Sequence, residues 1–285
     1  MTPLDIAERA IAGTEGLSGR VAALSPSLWE GSSVHTECTL HQLAPYIGKM
    51  KSTMAGALVD LFTSPGDTVL DPFMGSGTVG LECLLRGRNF VGADVNPYSL
   101  VLTGAKLAPP PSLEEALAHA EEHVEAGLDL AGRLDLAAPK WVRAFFHPRT
   151  LREVQGVVEH LTREGEHFLL ACLLGVLHHQ RPGFLSYPSS HLVPYLRTTK
   201  FPRDEYPEMY EYRDVKTRLL AKVKRAYRRP AKFAAGVEGR FVDSSAALAT
   251  PIQLYAGQAT VASKSSPTTE PPLGINGVTT SARVL

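Results

Sequence analysis

A glycine-rich loop between a short apolar strand and a helix constrains the fold of this chain more than any other feature. The loop occupies residues 71–78, between the predicted strand Thr68–Leu70 and the predicted helix Val79–Arg86. Gly87 ends that helix, and the run Asn89–Val95 predicts a second strand. Two strands joined through a helix pair in parallel. The sequence therefore predicts an α/β fold built on a parallel sheet.

The glycines and acids of this segment indicate the ligand. Gly75, Gly77 and Gly80 fit the G-x-G-x-x-G pattern of nucleotide-binding α/β units. Asp71, at the strand end, would repel a pyrophosphate but attract the ammonium and sulfonium groups of S-adenosylmethionine. Asp94 lies near the end of the second predicted strand, where an acid can accept both ribose hydroxyls of an adenosine. The segment therefore predicts an S-adenosylmethionine site.

Three stretches of sequence resemble motifs of the amino-group DNA methyltransferases, which methylate adenine N6 or cytosine N4. Residues 71–78 (Asp-Pro-Phe-Met-Gly-Ser-Gly-Thr) are similar to motif I, and residues 92–97 (Gly-Ala-Asp-Val-Asn-Pro) are similar to motif II. Residues 41–50 (His-Gln-Leu-Ala-Pro-Tyr-Ile-Gly-Lys-Met) resemble motif X. The resemblance covers roughly residues 30–245 and implies DNA methylation of the restriction–modification type, with S-adenosylmethionine as cofactor.

The resemblance implies a Rossmann-like methyltransferase sheet, whose completeness the sequence leaves open, with a helical insert. We expect an N-terminal extension at 1–29, the cofactor-binding half at 30–108, the insert at 109–235 and a low-complexity tail at 236–285. The cofactor-binding residues that the resemblance implies come from all three motifs: Tyr46, Lys49, Asp71, Phe73, Gly75, Gly77, Thr78, Asp94 and Val95.

The formal net charge of zero over 285 residues conceals two oppositely charged segments. Residues 112–135 carry a net charge of −6 at helical spacing, which predicts a solvated acidic helix. Residues 197–232 carry a net charge of +7 with tyrosines interleaved, a composition suited to phosphate contacts and base stacking or, equally, to a solvated helix. With DNA as the expected partner, the candidate DNA-binding residues are Arg181, Tyr187, Arg197, Lys200, Lys222 and Arg225.

The motif that carries the family's chemistry, (Asp/Asn/Ser)-Pro-Pro-aromatic, is not found in the expected form. The nearest match, residues 270–273, reads Glu-Pro-Pro-Leu. No catalytic residue is therefore assigned, and three explanations stay open: a truncated or out-of-frame chain, a half-enzyme completed by a second chain, or a degenerate loop. Under the first two, the strand Thr68–Leu70 lacks a neighbour, and its exposed edge favours dimerisation or poor solubility.

Two other functions stay open beside DNA methylation. An RNA guanine-N2 methyltransferase has a similar first motif, although only 40 residues precede the motif X match here. A non-catalytic module that retains affinity for the cofactor or for DNA is the other alternative. Either reading keeps the same glycine-rich loop.

Composition limits the setting in which the chain works. Its three cysteines are too widely spaced for a disulfide framework or a Cys-x-x-Cys zinc pattern, which predicts a reducing cytoplasm. The longest apolar run, residues 168–177, is too short to span a membrane. His178, His179 and His191 lack a further ligand at a metal spacing, so no metal is predicted.

Overall fold

The structure is a computed structural model. It describes residues 35–133, 138–177, 185–186, 202–244 and 282–284, together with residues 16, 19–21, 25, 27 and 30. The chain divides into two compact units. The sheet unit comprises residues 1–37, 47–103 and 232–285, and the helical unit comprises residues 38–46 and 104–231.

The sheet unit contains helices and strands, whereas the helical unit contains helices and short turns. The helices are α1 (Ser52–Phe62), α2 (Thr78–Leu85), α3 (Pro97–Leu107), α4 (Leu113–Ala131), α5 (Lys140–Arg143), α6 (Pro148–Arg163), α7 (His167–Leu177) and α8 (Val215–Ala226). The strands are β1 (Thr68–Asp71), β2 (Asn89–Asp94), β3 (Gly239–Asp243) and β4 (Ala282–Val284), and 3-10 turns occupy Thr39–Gln42 and Pro207–Tyr210.

The four strands form one parallel sheet in the order β3-β2-β1-β4. Val69, Phe90 and Phe241, one from each of the three longer strands, are buried. The prediction of an α/β fold with a parallel sheet is confirmed, and β1, α2 and β2 begin and end within one residue of their predicted bounds. Because the strands run in parallel, their carboxyl ends meet at one edge of the sheet.

The expectation of an unpaired edge on Thr68–Leu70 is wrong for the described residues. Strand β4 pairs in parallel with β1, so that Thr68, Val69 and Leu70 lie opposite Ala282, Arg283 and Val284. Strands β3 and β4 both fall within the segment 236–285, which composition predicts to be a tail. An edge strand presents free backbone N–H and C=O groups that any extended segment can pair with, so a three-residue strand needs no sequence periodicity of its own.

The helical unit is built on the apolar faces of four helices. Helix α7 is apolar and mostly buried. Helix α8 packs against α7 and α4 and buries Val215, Leu219 and Val223. Helix α4 buries its small residues, including Ala116 and Ala120, and exposes the acids that predicted a solvated acidic helix. Among the residues that the structure describes, no helix is both long enough and apolar enough to cross a bilayer.

Candidate cofactor site

Asp71 lies at the carboxyl end of β1, beside Gly92 of β2. Its Oδ1 accepts a hydrogen bond from the backbone N–H of Phe73, 3.0 Å away. Burial raises the pKa of Asp71, the Phe73 N–H opposes that shift, and the charge of Asp94 raises the pKa further. A half-buried carboxylate beside a second carboxylate is poorly compensated, so the position favours a cationic ligand.

The loop between β1 and α2 is fixed by backbone hydrogen bonds and two left-handed glycines. Gly75 and Gly77 have φ of 50° and 68°, a region that strongly favours glycine. The Met74 N–H donates to the carbonyl of Ala93 at 3.0 Å, which holds the loop against the end of β2. Met74 is buried, whereas Phe73 is 87% exposed. The loop therefore presents Phe73 and two backbone turns at the carboxyl edge of the sheet.

Gly77 is required by packing as well as by its backbone conformation. A Cβ on Gly77 would lie 2.7 Å from Oγ1 and 2.9 Å from Cα of Thr103, a buried residue of α3. Real side chains do not approach that closely, so α3 can lie against the loop only because this position has no side chain. Sequence reasoning assigned Gly77 to the cofactor and missed Thr103, which no local pattern marks.

Asp94 holds the two loops at this edge together. Its Oδ2 accepts from the Gly75 N–H and its Oδ1 accepts from the Asn96 N–H, each at 2.9 Å. Asn96 in turn accepts from the Tyr98 N–H at 3.0 Å at the start of α3. A carboxylate has about four lone-pair sites, so Asp94 keeps acceptor capacity for a ribose beyond these two bonds. Its neighbour Val95 is 50% exposed, as an adenine contact requires.

The remaining predicted cofactor residues are less closely tied to the two carboxylates. Thr78 is buried at the start of α2, where its hydroxyl lies 3.0 Å from the hydroxyl of Ser76, so it stabilises the loop from within. Tyr46 belongs to the helical unit and Lys49 to the sheet unit, and both are half-buried. The role of the motif X residues toward the cofactor stays a prediction.

Of the six predicted DNA-binding residues, Arg181, Tyr187, Arg197 and Lys200 lie outside the described residues. Lys222 is turned into the helical unit, where its Nζ donates to the carbonyl of Gln42 at 2.7 Å. Burial lowers the pKa of Lys222 to about 8. These contacts favour a packing role for Lys222 within the helical unit over a contact with DNA.

The exposed bases of α8 cluster at the C-terminal end of that helix. Lys224, Arg225 and Arg228 are all exposed there, where the partial negative charge of a helix end favours cations. Two tyrosines of the basic segment 197–232 are half-buried and form hydrogen bonds within the helical unit. Tyr212 donates to Glu153 at 2.9 Å, and Tyr227 donates to the carbonyl of Pro110 at 2.5 Å. The exposed bases remain candidates for phosphate contact.

A family model matches the segment that contains the candidate cofactor site. Residues 27–102 match the family model N6_N4_Mtase, whose description is DNA methylase. The matched segment contains both carboxylates and the whole glycine-rich loop. No solved structure matches the chain.

The curated relatives match over short segments. The chain is 34% identical over 68 residues to the Type II methyltransferase M.MjaII of Methanocaldococcus jannaschii, which is 24% of this chain and 13% of that protein. It is 53% identical over 45 residues to M.XycI of Xanthomonas campestris pv. cyanopsidis, covering 16% and 15% of the two chains. It is 60% identical over 35 residues to M.Cfr9I of Citrobacter freundii, covering 12% of each. The matched parts thus span only 12–15% of these relatives.

Proposed function

We infer that this chain, which belongs to the amino-group DNA methylase family through residues 27–102, binds S-adenosylmethionine and methylates an exocyclic amino group of DNA, adenine N6 or cytosine N4. The observation that carries the proposal is the pair of carboxylates at neighbouring strand ends. Asp71 is half-buried, and Asp94 accepts from the glycine-rich loop. A phosphate-bearing ligand would meet two negative charges there, whereas a cationic nucleoside would neutralise one and hydrogen bond to the other.

Each side chain of the site has a separate task in this proposal. S-adenosylmethionine, when bound, supplies an electrophilic methyl group on a sulfonium centre. Asp71 attracts the positive methionine end, while Asp94 accepts from the ribose hydroxyls and keeps the Gly75 N–H in place. Val95 and Phe73, both exposed, offer apolar surface to the cofactor. Tyr46 and Lys49 are proposed to complete the methionine pocket.

Transfer to DNA requires a group that orients the acceptor amine. Residues 270–273, the nearest match to the family's catalytic motif, lie outside the described residues. The departure of that stretch from the motif is equally expected for a truncated chain, for a degenerate loop and for a second candidate function, a cofactor- and DNA-binding half-enzyme that a second chain completes. Arg225, with Arg181, Tyr187, Arg197 and Lys200, is proposed to contact DNA in either case.

One pair of measurements tests the proposal and separates the candidates. Calorimetric titration measures S-adenosylmethionine binding, and transfer of a radiolabelled methyl group is followed on unmethylated genomic DNA and, in parallel, on transfer RNA. Label in DNA supports DNA methylation, and label in RNA supports the guanine-N2 alternative. Binding without transfer supports the half-enzyme, and no binding refutes the assignment of the glycine-rich loop. Asp67→Asn, which removes the charge of an acid in the turn before β1, is the matched control for removing the charge of Asp71.

The thiols support the cytoplasm as the proposed compartment. Cys38, Cys83 and Cys172 are all free, and burial raises the pKa of the Cys83 thiol. Free, buried thiols are typical of proteins that work under reducing conditions.

A further inference from the structure

Three ionisable side chains converge in the helical unit, and none of them is assigned to the cofactor. His119 and His123 lie four residues apart on α4 and therefore share one face of that helix. The His119 Nδ1 lies 3.6 Å from Oε2 of Glu166, and the His123 Nε2 lies 3.7 Å from Oε1 of the same carboxylate. One ligand atom from each of the three residues lies within 4.8 Å of the other two.

We propose that His119, His123 and Glu166 form a Zn²⁺ site that joins α4 to the α6–α7 junction. Two imidazoles and one carboxylate are a donor set that zinc takes in proteins, with a water in the fourth position. A tetrahedral ion with bonds of about 2.0–2.1 Å separates its ligand atoms by about 3.3–3.4 Å. The nitrogen–oxygen separations of 3.6 and 3.7 Å go to different oxygens of Glu166. Because the three ligand atoms lie within 4.8 Å of one another, they must close by up to about 1.5 Å to reach that geometry.

Packing of α4 against α6 brings the ligands into register. A Cβ on Gly127 would lie 2.6 Å from Cα of Val157, so the two helices are in close contact through this glycine. Gly156 of α6 packs directly on the Gly127 carbonyl. One turn away from this contact, His123 of α4 meets His160 of α6, with His123 Nδ1 2.9 Å from His160 Nε2.

The loop after α6 fixes the third ligand. The Gly165 N–H donates to the carbonyl of Thr162 at 3.3 Å, and the Glu166 N–H donates to that of Leu161 at 2.9 Å. With Gly165 at a φ of 68°, this is a Schellman termination of the helix. Glu166 therefore leaves α6 in a defined direction, and its carbonyl accepts from Leu170 at the start of α7. Its side chain is 24% exposed, which leaves a route for an ion.

His160 is a positioning residue in this proposal. When His123 donates through Nδ1 to His160 Nε2, the lone pair of His123 lies on Nε2, the atom that faces Glu166. Partners of this kind orient metal-bound imidazoles, and their removal costs about 10- to 100-fold in metal affinity. The interaction thus supplies the outer contact that a histidine–metal site requires.

The test is a Zn²⁺ titration of the chelator-stripped full chain by calorimetry, repeated with His119→Gln and Glu166→Gln. We expect one ion per chain, at least about 100-fold weaker binding in both ligand variants, and about 10- to 100-fold weaker binding in His160→Gln. The matched controls are His35→Gln, an exposed histidine of the sheet unit, and Glu122→Gln, an exposed carboxylate beside His123 on α4. Both controls should bind as the unsubstituted chain does.

Two readouts keep the test decisive if a variant is less stable. Circular dichroism confirms that each variant is folded, and Co²⁺ used in place of Zn²⁺ reports tetrahedral coordination through its visible absorption. Loss of that absorption in the ligand variants but not in the controls supports the site. A chain that binds no Zn²⁺, or that binds it equally well without His119 and without Glu166, overturns the proposal. Neither result bears on the cofactor assignment, because no residue is shared.

Discussion

Replacing Asp71 with asparagine separates the charge of this side chain from its hydrogen bond. The amide oxygen of asparagine can still accept from the Phe73 N–H, which lies 3.0 Å from the carboxylate, so the loop keeps its anchor. What is lost is the negative charge offered to the methionine end of the cofactor. A hydrogen bond to a charged group contributes about 1.5–3 kcal/mol. Since about 1.4 kcal/mol changes Kd tenfold, S-adenosylmethionine should bind about 10- to 150-fold more weakly.

The same substitution should stabilise the ligand-free chain near neutral pH. Burial raises the pKa of Asp71, and the charge of Asp94 adds to that shift against the opposing Phe73 N–H. A raised folded-state pKa means that ionised Asp71 costs stability at neutral pH. That cost disappears as the pH falls through the folded-state pKa toward the ordinary aspartate value of about 4. The advantage of Asp71→Asn in free energy of unfolding should therefore be present at pH 7 and shrink on acidification.

The assay is calorimetric titration with S-adenosylmethionine and with adenosine, alongside urea denaturation at neutral and acidic pH. Adenosine lacks the charged methionine end, so its Kd should change less than about threefold in Asp71→Asn. The control Asp67→Asn alters an acid that accepts from the Ser64 N–H in the preceding turn, and both affinities should stay unchanged. Equal binding of S-adenosylmethionine by Asp71→Asn and the unsubstituted chain would refute the charge argument. An equal loss of affinity for S-adenosylmethionine and for adenosine would refute the charge argument as well.

Three further substitutions test other parts of the two units. Asp94→Asn should weaken the binding of both S-adenosylmethionine and adenosine by about tenfold or more in calorimetry, because both ligands carry the ribose. Weaker binding of only one of the two ligands would contradict the role of Asp94 toward the ribose. Gly77→Ala should lower the free energy of unfolding by about 2–4 kcal/mol, because alanine is strained in the left-handed conformation and its Cβ would collide with α3. The control Gly48→Ala, at a φ of 80° with open space around it, should lower the free energy of unfolding by only about 1–2 kcal/mol. Gly156→Ala should cost about 1–3 kcal/mol in urea denaturation, because its Cβ would collide with the Gly127 carbonyl; an unchanged midpoint would show that α4 and α6 can separate at no cost.

Local patterns predicted the part of the fold that is contiguous in the chain. Strand β1, helix α2 and strand β2 follow one another directly, and each is marked by apolar periodicity or by glycine. The acidic helix α4 was predicted as a solvated element, although its alanines and Gly127 form a buried face.

Contacts between residues far apart in the chain could not be predicted from local patterns. Strand β4 is separated from β1 by most of the chain, and three residues carry no periodic signal. Lys222 sits in a basic segment and reads as a surface residue, yet its ammonium donates to the carbonyl of Gln42. The segment's charge was visible in the sequence, but the direction of each side chain was not.

The sequence by itself determined the α/β class and the positions of the glycine-rich loop and the two strand-end acids. Each of these depends on residues close together in the chain, where backbone geometry and side-chain periodicity are read directly. Only the tertiary structure decided that Thr103 makes Gly77 indispensable, and that Glu166 meets His119 and His123. Those contacts join residues far apart in sequence, and they exist because close helix packing fixes register between elements that no local pattern relates.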